Sequence, residues 1–173
     1  MDRKFSTKEK IINAAIDLFS QKGLYETTVR EIAAATGIKV RSLYAHFTGK
    51  DTILDIILER YREEINKVRM PDQMLDRIVA SATPEAIFTR GLYRIRESVA
   101  SVNMDKIIRI LLIEMYRSLK VREFYLVWYF DENRNTLKKL FAKMQEKGLI
   151  KDHDPETLSP LYNAFVNSYY HEY

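Results

Sequence analysis

The sequence predicts an all-α protein, on three observations. Apolar residues recur at three- and four-residue spacing almost throughout the 173 residues. Gly and Pro are scarce, with five and four residues. Val, Ile and Thr do not alternate with polar residues over strand-length stretches. With 46% apolar and 30% charged residues, the chain is not a disordered one and suits a soluble surface. Its length fits a small reader head joined to a larger helical body.

The elements follow in order. Ser6 and Glu9 stand in capping-box spacing before a face of Ile11, Ile12, Ala15, Leu18 and Phe19, and Gly23 is expected to stop this first helix in a left-handed turn. Thr28 and Glu31 repeat the capping spacing for a second helix that buries Ile32 and Ala33 and ends near Gly37. A third short helix is expected from Val40 to Phe47. Thr48, with Asp51 three residues on, is expected to cap a fourth, which runs through Ile53, Leu54, Ile57, Leu58, Tyr61 and Ile65 and stops before Pro71. Further helices are expected over Gln73 to Ala82, Pro84 to Val99, Asp105 to Arg117, Arg122 to Lys147, and from Pro155 to the end. The last runs to Tyr173 with no stop signal, so the chain is expected to be cut short or frayed there.

The charge is placed unevenly. Between Arg3 and Lys50 nine Lys or Arg stand against four Asp or Glu, whereas from Asp51 onward the two kinds balance. The whole basic excess therefore lies in the first fifty residues, where a polyanion would be met. The absence of cysteine excludes disulfides and thiolate metal or redox sites. The polar start lacks a signal-peptide core, and no apolar run approaches the roughly 20 residues that cross a bilayer, so a cytoplasmic protein without membrane contact is expected. No His-Glu-x-x-His, glycine-rich phosphate loop or nucleophile–base spacing is present, and no enzyme or cofactor is expected.

The segment Thr28 to Phe47 reads as a helix-turn-helix. Ala33 is small where two helices must cross, Gly37 makes the turn, and Ile38 and Leu43 fill the space beneath. Around it stand Ile11-Ile-Asn-Ala-Ala-Ile-Asp-Leu-Phe19, Gly23-Leu-Tyr-Glu-Thr-Thr28, Ile32-Ala33, Leu43-Tyr-Ala-His-Phe47 and Lys50-Asp51. In identity and spacing over about fifty residues this pattern resembles the N-terminal domain of the tetracycline-repressor (TetR) family.

The resemblance implies a three-helix helix-turn-helix DNA-binding domain over 1–50 and a helical ligand-binding and dimerisation domain over 51–173. It implies a transcriptional regulator, in first place a ligand-responsive repressor that binds a palindromic double-stranded operator as a homodimer. The alternative is a family-like DNA-binding protein without an inducer, controlled by a protein partner or acting architecturally. By motif position, Thr28 should cap the second helix and touch a phosphate, and Arg30 should reach backbone or base. Lys39, Val40, Arg41 and Ser42 should open the reading helix toward base edges. Tyr44, His46 and Lys50 correspond to phosphate contacts. Arg41 departs from the small residue common there; it can pair with a guanine edge or clamp a phosphate.

The rest of the chain is rich in aromatics. Phe124-Tyr-Leu-Val-Trp-Tyr-Phe130 sets large side chains almost all round one helix, more than a single face needs. Under the resemblance, Tyr93, Met104, Ile108, Met115, Tyr125, Trp128, Tyr162 and Phe165 would surround an apolar or aromatic inducer; the competing reading is core plus dimer interface. Glu97, Glu114 and Glu123 flank these stretches; a carboxylate in an aromatic pocket would suit a cationic ligand, but the favoured reading is of exposed carboxylates. Leu158, Leu161, Tyr162, Phe165 and Tyr169 of the closing helix are the expected source of the dimer interface.

Overall fold

The computed structural model describes residues 5–99 and 103–172, and every regular element among them is helical. In order these are α1 (Thr7–Glu26), α2 (Val29–Thr36), α3 (Val40–Tyr44), α4 (Lys50–Val68), α5 (Asp72–Ser81), α6 (Pro84–Val99), α7 (Met104–Glu114), α8 (Leu119–Tyr125), a π-helical segment (Leu126–Asp131), α9 (Glu132–Glu146) and α10 (Pro155–Glu172). None of the described helices is long and apolar enough to cross a membrane.

The chain divides into two compact units, Met1–Glu64 with Ala100–Glu123, and Ile65–Val99 with Phe124–Tyr173. The first holds α1 to α3, most of α4, α7 and most of α8. Its core comes from the apolar face of α1 (Ile11, Ile12, Ala15, Ile16 and Phe19), joined by Ile32, Leu43, Ile53, Ile57 and Tyr61. Met104, Ile107, Ile110 and Leu111 on α7 are buried as well, and α7 packs along α1. The three- and four-residue spacing of these positions is what puts each set on one face.

Among the ion pairs that cross between elements of this unit are Lys106 Nζ to Asp17 Oδ1 at 2.6 Å (α7 to α1) and Lys120 to Asp55 (α8 to α4). Both are solvent-accessible and add little stability individually. Their effect is to mark which turns of the helices lie side by side.

The second unit is built on Leu75 and Val79 of α5, Ile87 of α6, and Leu140 and Met144 of α9. Phe88, Phe141 and Tyr162 form an aromatic group beside them, with ring centroids 5.0 to 6.0 Å apart. Tilted and edge-on pairs of this kind hold more than their buried area alone would give.

The helix expected from Arg122 to Lys147 is not wound as one α-helix. Its middle, Leu126–Asp131, is wound as a π-helix between α8 and α9. Tyr125 and Phe130 meet edge-on at 5.4 Å, a pairing at the five-residue spacing that π winding favours. This answers the excess of large residues there, because the looser turn changes which of them share a face.

Several expected helix ends are revised; the third helix stops at Tyr44 and α7 at Glu114. Gly23 does interrupt α1, but with φ 84° and ψ 169°, an extended conformation open to glycine, not the left-handed helical one. The expected cap Thr48 is exposed and two residues ahead of α4. There the Gly49 N–H donates to the Thr52 hydroxyl at 3.3 Å, and that hydroxyl donates back to the Gly49 carbonyl at 2.8 Å.

Candidate nucleic-acid interface

The capping box read from the sequence at Thr28 is complete. The Thr28 hydroxyl accepts the Glu31 N–H at 3.2 Å, and Glu31 Oε2 accepts the Thr28 N–H at 2.7 Å and its hydroxyl at 2.9 Å. Lys22 pairs with the other oxygen of Glu31. The Lys22 ammonium first, then the Thr28 N–H and hydroxyl, hold the Glu31 carboxyl down at about 2.

At the other end of α2, Gly37 takes a left-handed conformation, φ 70° and ψ 25°. Its N–H donates to the Ala34 carbonyl at 3.1 Å, and the Ile38 N–H donates to that of Ala33 at 3.0 Å. This double closure turns the chain directly into α3. An added Cβ at Gly37 would meet open space, so only the backbone conformation requires glycine.

Helix α3 is five residues long and pinned by one side chain. Leu43 is fully buried, and Phe47, just beyond the helix, is buried too. At about 100° per residue, Arg41 and Ala45 point away from Leu43, with Ser42 and Tyr44 to either side. Lys39, Arg41, Ser42, Tyr44 and His46 are all exposed and Val40 is half-buried. Tyr44 keeps 53% of its surface. Thr28 and Arg30 are exposed at the start of α2.

Lys50 is half-buried at the start of α4. Its Nζ donates to the carbonyl oxygens of Leu24 at 2.6 Å, Thr27 at 2.6 Å and Tyr25 at 3.3 Å. Three donors on three acceptors use the full capacity of an ammonium group. The basic side chain ties the first turn of α4 to the segment between α1 and α2. These contacts follow from tertiary packing, which no local pattern reveals.

Glu114 was expected to be exposed and is not. It is wholly buried at the C-terminal end of α7. The Leu24 N–H donates to its Oε1 at 2.7 Å, while Oε2, also buried, meets no hydrogen-bond partner. A sequence signal for it existed. Ile107, Ile110, Leu111 and Glu114 continue one stripe at three- and four-residue spacing, so an acid occupies a core position.

The eight residues proposed around an inducer fall in both units. In the first, Met104 is buried and Ile108 and Met115 are half-buried. In the second, Tyr125 is buried, Trp128 and Tyr162 half-buried, and Tyr93 and Phe165 about 60% exposed. Tyr162 packs on Phe88 and lies 6.5 Å from Phe165, ring to ring. A recess within the second unit is lined instead by polar residues, among them Asn66, Arg69, Asp72, Asn135 and Lys139, and by none of the eight. Of the closing-helix set, Leu161 and Phe165 are exposed, Leu158 is half-buried, and the Tyr169 side chain lies outside the described residues.

Comparison with known proteins bears on the same segment. Residues 11–57 match a family described as bacterial regulatory proteins, tetR family. The HTH-type transcriptional regulator UidR of Escherichia coli K12 is 33% identical over 94 residues, half of this chain and 47% of that protein. The HTH-type transcriptional repressor KstR2 of Rhodococcus jostii is 34% identical over 100 residues, 57% of this chain and 48% of that one. The chain thus spans about half the length of the curated relatives it matches. Among solved structures, a transcriptional regulator from Aquifex aeolicus superposes with a TM-score of 0.67 at 24% identity, over 97% of this chain and 86% of its own. That likeness is one of fold.

Proposed function

We propose that this chain is a tetR-family, sequence-specific transcriptional regulator whose α3 reads an operator in the major groove. One observation carries the proposal. On a five-residue helix clipped to α2 by Gly37, the buried Leu43 holds Arg41, Ser42 and Tyr44 out into solvent together. Side chains that can pair with base edges and phosphates are thereby presented on a rigid element.

Within this reading Arg41 addresses a base edge, with Lys39, Val40 and Ser42 beside it. Thr28, Arg30, Tyr44 and His46 address the backbone, as does the N-terminus of α2. Lys50 acts indirectly, by fixing the segment from which α2 starts.

The regulator acts as a homodimer on a palindromic site. One head offers few basic contacts, and two half-sites about 34 Å apart supply the affinity that one lacks. Leu161 and Phe165, four residues apart on α10 and both exposed, support a self-association face there. A small apolar or aromatic molecule relieves repression by shifting the helices of the body. The aromatic group of Phe88, Phe141 and Tyr162 supports that ligand class.

Selection of genomic fragments by the full chain tests the proposal. Enrichment of a sequence with two-fold symmetry is expected. Retention of DNA with no sequence preference would overturn it.

A further inference from the structure

Leu24 is held at both ends of its own peptide groups. Its carbonyl oxygen accepts from Lys50 Nζ at 2.6 Å, and its N–H donates to Glu114 Oε1 at 2.7 Å. The residue before it, Gly23, adopts its glycine-only conformation against the same carboxylate: a Cβ there would lie 2.7 Å from Glu114 Oε1 and 3.3 Å from Arg117 Nη1. Thr27 closes the segment by donating from its hydroxyl to the Gly23 carbonyl at 2.7 Å. The next residue, Thr28, caps α2 and so begins the helix-turn-helix.

Glu114 is a costly way to stabilise this turn. A carboxylate with no exposed surface and one oxygen unpartnered loses its hydration for a single hydrogen bond. An apolar residue would continue the stripe of Ile107, Ile110 and Leu111 more cheaply. What only an acceptor of this length can do is reach the Leu24 N–H from α7.

We infer that Glu114 is a positioning residue for DNA reading: from α7 it fixes the Gly23–Thr28 turn through the Leu24 N–H, and thereby the angle at which α2 and α3 leave α1. It touches no DNA itself. The inference rests on the assignment of α3 as the reading helix. Its consequence is that reach, not charge, is what matters at position 114.

Two variants of the full chain separate these. Glu114→Gln removes the charge but keeps an oxygen at the same distance. Glu114→Asp keeps the charge and withdraws the acceptor by one methylene. The ratio of affinity for the selected operator to that for unrelated DNA is measured well below either variant's unfolding midpoint. The Gln variant is expected within about threefold of the unaltered ratio, and the Asp variant lower by about tenfold, the value of one hydrogen bond to a charged group. Unrelated DNA is bound equally by all three, because the exposed basic residues are unchanged. Amide hydrogen exchange of the free proteins is read alongside, with protection at Leu24 kept in the Gln variant and lost in the Asp variant. An unaltered ratio in the Asp variant, or an equal fall in both, would overturn the inference. Absence of any preferred sequence for the unaltered chain would instead overturn the DNA-reading assignment beneath it.

Discussion

Lys50 and Glu114 grip the same residue, Leu24, from opposite ends, the lysine at its carbonyl oxygen and the glutamate at its N–H. The first comes from α4 and the second from α7. A charged group of each sign is therefore spent on the backbone entering the helix-turn-helix, where a partner of the opposite sign would ordinarily be sought.

Replacing Lys50 by Met removes the donor from three carbonyls. A loss of about 1.5–3 kcal/mol in unfolding free energy is expected. The salt dependence of DNA affinity should keep its slope, whereas loss of a phosphate contact would reduce the slope by about one. Titrations at several salt concentrations decide between the two.

Replacing Arg41 by Ala should lose about 1–3 kcal/mol of discrimination at one base-pair position of each half-site. Binding to operators altered one position at a time measures this. A uniform loss across all of them would mean that Arg41 holds a phosphate.

Gly23→Ala is expected to cost about 1–3 kcal/mol from backbone strain alone. The crowding of its new Cβ against Glu114 Oε1 adds to that. Denaturant unfolding in the Glu114→Ala background separates the two contributions, because shortening the glutamate relieves only the second.

The Glu31 carboxyl, held at about 2 against an ordinary 4.5, stabilises the fold only while it is ionised. A lowered folded-state value contributes fully above the unfolded value and is lost as pH falls through the folded one. The unfolding midpoints of the parent and of Glu31→Gln should differ near neutrality and converge as pH falls from 4.5 toward 2. A constant difference across that range would show that the Lys22 and Thr28 contacts contribute nothing.

Aspartate at both Leu161 and Phe165 should yield a monomer that still folds, since both side chains are exposed in the single chain. Sedimentation gives the mass. A persisting dimer would place the interface elsewhere.

What the sequence made legible was what depends on near neighbours. Thr28 with Glu31, Gly37 at the end of α2, and Pro84 to Val99 as one helix were all readable, because caps, turns and helical stripes are set within a few residues. The placement of Lys50 and Glu114 was not. The Glu114 partner lies 90 residues away along the chain, and a basic residue at a helix start reads the same whether it meets phosphate or a carbonyl. An aromatic stripe likewise reads the same in a core, an interface or a cavity. Only the acid in an apolar stripe at position 114 was a local sign that was there to be read.

The π-helical segment at Leu126–Asp131 has a consequence for lineage as well as for shape. An extra residue in an α-helix rotates everything after it by about 100°, which would swing Leu140, Phe141 and Met144 out of the core. Loosened winding absorbs such an insertion and keeps those three inward. Relatives that wind this stretch as plain α-helix should be one residue shorter here, and deleting one residue between 126 and 131 is the indel this protein should best survive.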